Sequence, residues 1–157
     1  MRSYVINVYV IIVTYIAGCK DENLSEANIK GVWAEEEILE DYDRISRLEY
    51  NFKTDDTVEI LRIELEMHSR SVLGYGYRTI GNYAVSADKL SLSNLVSYNN
   101  DDTIAEYSPL EDLVKESEGE AYELTFTIQD NNKLTLTYSP CGPLANCIDT
   151  KTLIRQY

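Results

Sequence analysis

Histidine is almost absent: His68 is the only one in 157 residues. A serine or cysteine nucleophile needs a base held beside it, so any such arrangement would have to be built on this one side chain. His68 shares its parity with Arg62, Glu64 and Glu66, which predicts a solvent-facing strand position rather than a catalytic one. Special glycine motifs are missing as well. No glycine-rich loop is spaced to cradle a phosphate, and no stretch has the spacing of an EF-hand calcium loop. Positive charge is scarce: 14 Lys and Arg stand against 27 Asp and Glu, a formal net charge of −13. Such acidity argues against nucleic acid and against direct docking on anionic lipid headgroups.

The acidic side chains themselves form runs, notably Glu35, Glu36, Glu37, Glu40, Asp41 and Asp43. Paired acids can hydrolyse glycosides, but charge runs are usually solvated faces. Asn100-Asp101-Asp102 reads as a flexible acidic loop. No catalytic residue, metal site or cofactor is expected.

A long apolar segment is also lacking. The stretch Tyr4–Gly18 is diluted by Asn7 and three tyrosines and falls short of the roughly 20 apolar residues that a spanning helix needs. Arg2 before it and the small residues at its end give the pattern of a cleaved export signal. The tetrapeptide Ile16-Ala17-Gly18-Cys19 resembles the lipobox of bacterial lipoproteins, and Lys20-Asp21-Glu22 resembles the acidic surface-export signal of Bacteroidetes-type lipoproteins. The resemblance implies a signal peptide over 1–18, lipidation of Cys19 with a diacylglyceryl group, and a polar tether over 19–28. It also implies an address: the outer membrane, lipid-anchored and exposed at the cell surface. Cleavage before Cys19 would leave 139 residues with a formal charge of −14, enough for one domain.

Cys141 and Cys147 remain, in "SPCGPLANC". In an exported chain an even pair reads as a disulfide; Gly142 and Pro143 suit the tight turn between them. A metal site is the alternative, though two thiols without nearby histidines make a poor zinc shell.

The mature chain is dominated by period-2 alternation, the mark of strands with one buried face. Leu48, Tyr50 and Phe52 alternate with polar and charged residues, as do Tyr122, Leu124, Phe126 and Ile128, and then Leu134, Leu136 and Tyr138. Strands are expected at 31–37, 46–54, 57–67, 71–78, 80–86, 89–98, 120–129 and 133–139, with a closing strand near 152–157. A phase switch between Ile60 and Leu61 predicts a β-bulge there. Asp55-Asp56, Ala87-Asp88 and Asp130-Asn131-Asn132 supply the turns. Within the acidic stretch 99–120, Ser108-Pro109-Leu110-Glu111 has the form of a capping box and predicts a short helix. The alternative there is a charge-solvated loop.

These elements describe an all-β, antiparallel up-and-down meander that closes into a β-barrel, with one short helix in a long acidic loop. Gly31-Val32-Trp33, the hairpin Leu48–Ile60 and the hairpin Gly81–Ser93 resemble, in that order, the opening of bacterial lipocalin-like lipoproteins. The resemblance covers most of 29–157 and implies a lipocalin-like barrel domain over those residues. It also implies a small hydrophobic or amphipathic ligand. Trp33, Tyr50, Phe52, Tyr75, Tyr77 and Tyr83 would line the cavity, since tyrosine offers an apolar body with a polar tip. Simple core filling is the competing account of the same residues, because an eight-stranded barrel is just wide enough for its own side chains. In that second reading the lipoprotein is a structural or interaction module with a filled barrel, acting on a protein or glycan partner.

Overall fold

A computed structural model describes residues 26–101, 106–138 and 150–157. Cys19, Cys141 and Cys147 lie outside the described residues, as do the expected signal peptide and most of the expected tether. The described chain begins with a helical turn, Glu26–Ile29, followed by nine strands. They are β1 (Gly31–Leu39), β2 (Arg44–Phe52), β3 (Thr57–Glu66), β4 (Val72–Ser86), β5 (Lys89–Asn99), β6 (Val114–Gly119), β7 (Tyr122–Gln129), β8 (Lys133–Thr137) and β9 (Thr150–Gln156).

All pairings are antiparallel, and they close on themselves. Successive strands pair from β1 through β5, then β7 with β8 and β8 with β9. β9 returns to β1 through Val32, Trp33 and Ala34 opposite Gln156, Arg155 and Ile154. β5 is shared along its second edge, its first half pairing with β7 and its second half with β6. β6 and β7 thus act as one interrupted strand, and the nine strands form a ring-like sheet.

The alternation places one parity inside. Directly opposed residues share a face, so the register stacks the inner side chains in layers. Gly31, Phe52, Val58 and Gly81 make the lowest layer, and Trp33, Tyr50, Ile60 and Thr79 the next. These layers, with inward residues of β5 and β7–β9, form one core in which Trp33, Phe52, Phe126, Leu134, Leu136 and Leu153 are buried. Gly81 is required by this packing: a Cβ there would stand 2.5 Å from a Leu95 methyl and 2.7 Å from the Ser93 carbonyl oxygen.

The N-terminal turn plugs this end. Ile29 is fully buried, and the Trp33 indole Nε1 donates to its carbonyl at 2.7 Å. Arg155 of β9 lies over the Trp33 ring, 4.2 Å from its centroid, and donates to the Lys30 carbonyl at 3.1 Å and to the Asn28 carbonyl. One side chain therefore ties the last strand, the first strand and the entering chain together. The expected tether ends sooner than residue 28, because the turn Glu26–Ile29 already belongs to the folded unit.

Several sequence-based expectations need correction. The expected strands 71–78 and 80–86 are one continuous strand, β4. The irregularities fall at Arg62/Ile63 and Glu64/Leu65, and the extra residues, Gly76 and Leu73, sit on β4 rather than at Ile60. The expected short helix is only a 3-10 turn, Leu110–Asp112, without a side-chain cap. Ser108 is instead spent on a backbone bridge with Tyr75, at 2.8 and 3.1 Å, and Val114 is drawn into pairing with Asn99. β6 itself, inside the acidic stretch, was not among the expected strands.

Candidate functional site at the mouth of the ring

The hairpin turns 53–56, 87–88 and 130–132 all lie at the end that holds Ile29 and Trp33. The opposite end collects the longer connections and forms the mouth. Two further layers lie on the way there. Glu35, Leu48, Arg62 and Tyr77 stand opposite one another across β1–β4, and above them come Glu37, Ser46, Glu64 and Gly74. Over two steps along each strand the interior turns from apolar to charged.

The parity reading of β3 is therefore reversed at this end. Arg62 and Glu64 point into the ring, while Ile63 and Leu65 join Ile45 in a second, smaller core on the outer face. His68 follows the strand and is exposed, with Nε2 3.6 Å from Asp43 Oδ1.

Glu64 is the centre of the polar layer and is only 2% exposed. Its Oε1 accepts from Ser46 Oγ at 3.0 Å and from Arg62 Nε at 3.0 Å. Its Oε2 lies 3.3 Å from Arg44 Nε, and Arg44 pairs outward with Glu106. A buried carboxylate is costly unless paired and hydrogen-bonded; here Oε1 is hydrogen-bonded, whereas Oε2 and the Arg44 Nε facing it are paired by charge alone, without a hydrogen bond. The segment carrying Glu106 also brings Tyr107 against Gly74, where a Cβ would meet the tyrosine ring at 2.7 Å.

Beside this cluster is a half-enclosed depression of about 540 Å³, bordered by Glu35, Glu37, Ser46, Leu48, Arg62, Tyr77 and Lys151, with Glu36 at its edge. Lys151 reaches Glu35 at 3.7 Å. A smaller recess of about 320 Å³ lies between Arg44, Arg62, Glu64 and Glu106, so Arg62 borders both. A third, of about 400 Å³, lies around Glu36, Arg47 and Arg70 on the outer side. Arg47 and Arg70 both grip Glu36 there, at 2.7 and 2.5 Å, and with Arg70 as the larger influence they hold its carboxyl below the usual range.

Four tyrosines stand between the packed base and this mouth. Tyr50 and Tyr138 hydroxyls meet at 3.1 Å, and Tyr77 and Tyr122 bear on the same group electrostatically. Burial pushes Tyr77 and Tyr122 up to about 12, and it raises Tyr50 and Tyr138 as well. All four stay protonated, as hydroxyl donors, through the physiological range.

Of the six residues expected to line a cavity, only Tyr77 borders a described depression. Trp33, Tyr50, Phe52 and Tyr83 share the interior but fill it. Phe52 packs edge-on against Tyr83 with centroids 5.1 Å apart and lies 6.1 Å from Tyr50. The Tyr83 hydroxyl donates to the Lys53 carbonyl at 2.8 Å. Tyr75 is on the other side of the sheet, packed on Ile45, Ile63 and Leu65, because Gly76 is the extra residue of a bulge and flips the parity between Tyr75 and Tyr77.

Sequence reasoning missed Arg62, Glu64 and Lys151 as mouth residues, and Tyr122 and Tyr138 as members of the tyrosine group. The last two carried a usable signal, since each continues the inward parity of Phe126 or Leu136. Among the described residues no group of three or more His, Cys, Asp or Glu side chains is placed to hold a metal ion, and no helix is long and apolar enough to cross a membrane. No family model, curated protein or solved structure matches the chain.

Proposed function

We propose that this chain is a lipid-anchored, non-catalytic binding module of the cell envelope, held by Cys19 at the outer membrane and exposed at the cell surface. In this reading the ring is a lipocalin-like up-and-down β-barrel of eight strands, with β6 and β7 counted as one. It takes a small amphipathic ligand at its mouth rather than deep in its interior. The observation that carries the reading is the contrast inside the ring: a filled base beneath a half-enclosed depression of about 540 Å³ that sets Leu48 and Tyr77 beside Arg62 and Lys151. Concave sites that mix apolar walls with a few placed polar groups are where small ligands bind. The chain enters at the base, through the Glu26–Ile29 turn, so an anchor on that side leaves the mouth facing away from the membrane. His68 is exposed and, among the described residues, faces the Asp43 carboxylate with no serine or cysteine paired to it in a hydrogen bond, which supports a role without catalysis.

A second reading has its own support. Ile38, Tyr42, Val72, Leu73 and Val114 are exposed apolar side chains, and all stand at the mouth end. An apolar rim among acidic residues suits a filled-barrel interaction module with a protein or glycan partner. Native mass spectrometry of delipidated protein from its own host separates the two. A reproducible co-purifying small molecule supports the binding module; its absence alongside a stoichiometric captured partner contradicts it. The anchor is tested by Cys19→Ala, which should release the protein from membranes; unchanged partition would sink that claim.

A further inference from the structure

The mouth depression holds a guanidinium with one edge anchored and the other open. Arg62 Nε shares its single N–H between Ser46 Oγ at 3.1 Å and Glu64 Oε1 at 3.0 Å. Both partners are buried, Glu64 at 2% and Ser46 at 8% exposure, so the inner edge of the group is fixed. The hydrogen bonds that anchor the group run from Nε, the side chain is half-exposed beyond them, and both the larger depression and the recess beside it border it. A guanidinium edge carries two parallel N–H donors matched to the two oxygens of a carboxylate. Holding it by Nε removes the rotamer freedom that binding would otherwise have to freeze.

The surroundings set the rest of the ligand. Leu48 and Tyr77 flank Arg62 in the same layer, one on each side. They offer an aliphatic and an aromatic surface to an apolar body attached to the anion. The layer beneath is closed by Tyr50 and Ile60, 4% and 6% exposed, which leaves no channel for a long chain to descend. Charge around the site is not balanced. Glu64 and Glu106 share Arg44, and Glu35 faces Lys151. With Glu37 exposed at the rim, the carboxylates outnumber these cations by two, and Arg62 is the cation left to meet an incoming anion.

The geometry points to a compact organic carboxylate with a short aromatic or branched apolar body as the ligand of this mouth, its carboxylate docked on the open edge of Arg62. This rests on the reading of the mouth as a binding site and names its ligand class.

The test uses the full chain and two probes of one shape, 2-naphthylacetate and its neutral amide, 2-naphthylacetamide, titrated by calorimetry. The acid is expected to bind at least about tenfold tighter than the amide, the range of a charge-assisted pair. Arg62→Gln should abolish that ratio, and Arg62→Lys should restore part of it. Glu37→Gln, which removes a negative charge from the rim, should tighten the acid about two- to threefold more than it tightens the amide. Because the acid-to-amide ratio is read on the unmodified chain, a poorly folded Arg62 variant does not remove the test. Equal binding of acid and amide would overturn the carboxylate assignment while leaving the mouth as a binding site. Binding of neither probe would overturn both.

Discussion

At the base of the ring, hairpin turns join strands whose inner side chains are Trp33, Phe52, Phe126 and Leu134. At the mouth, longer connections join the same strands, and the inner side chains are Glu35, Glu37, Arg62 and Glu64. One sheet therefore carries two kinds of interior. Base packing is non-directional and depends on volume, so Tyr50, Phe52 and Tyr83 interlock in edge-on and offset contacts. Mouth packing is directional and depends on charge pairing, so Glu64 is tolerated only with Ser46, Arg44 and Arg62 around it. The base stabilises the ring and the mouth is left free to be polar. That division is what places a half-open depression on a rigid frame.

The comparison can be broken most forcefully at the base. Trp33→Ala removes a fully buried ring, its hydrogen bond to Ile29 and the surface under Arg155. It should cost about 3–5 kcal/mol of unfolding free energy, read by urea denaturation. A loss below about 1 kcal/mol would mean the base does not carry the fold. Glu64→Ala at the mouth should cost less, about 2 kcal/mol, because Arg62 is half-exposed and water can take over part of its solvation. A cost equal to that of Trp33→Ala would erase the distinction between the two ends.

The tyrosine group between them has a signature in alkali. Tyr77 and Tyr122 titrate near 12 in the fold against 10.0 for the free side chain. The raised values mean the fold binds these protons more tightly than the unfolded chain does. Their contribution is complete below pH 10 and is lost as pH rises through about 12. Stability should therefore fall across that window, and Tyr77→Phe should flatten the fall; an unchanged slope would contradict the burial of Tyr77. The smallest effect belongs to the outer face. Glu36→Gln should cost under about 0.5 kcal/mol at neutral pH, since partly exposed ion pairs are worth little. With its carboxyl held below the usual range by Arg70 and Arg47, that small contribution should vanish as pH drops through and below 4.5. A larger loss measured by thermal denaturation would mark the Arg47–Glu36–Arg70 group as structural.

Alternation made the strands legible wherever one face was buried. Leu124, Phe126 and Ile128 are all inside, and the turns at Asp56, Ala87 and Asp130-Asn131 have left-handed backbone in the structure. β6 gave no such signal because all six of its residues are exposed; backbone pairing with β5, not a buried face, makes it a strand. The helix expected after Pro109 lost to the pairing of Ser108 with Tyr75, a long-range contact that no local motif reveals. The site was the least legible part. In β3 the apolar run Leu61, Ile63, Leu65 suggested an inner face, yet at the mouth the inner face is the charged one and the apolar residues serve a small outer core. The bulge at Gly76 likewise separates Tyr75 from Tyr77 by a shift that parity alone cannot register.

The account stands most directly on where a ligand touches the ring. With 2-naphthylacetate added to isotopically labelled full chain, amide chemical shifts should move at Glu35, Leu48, Arg62 and Tyr77 and stay fixed at Trp33, Phe52, Phe126 and Leu134. Shifts concentrated at the base residues, with the mouth unmoved, would contradict a filled base beneath a binding mouth.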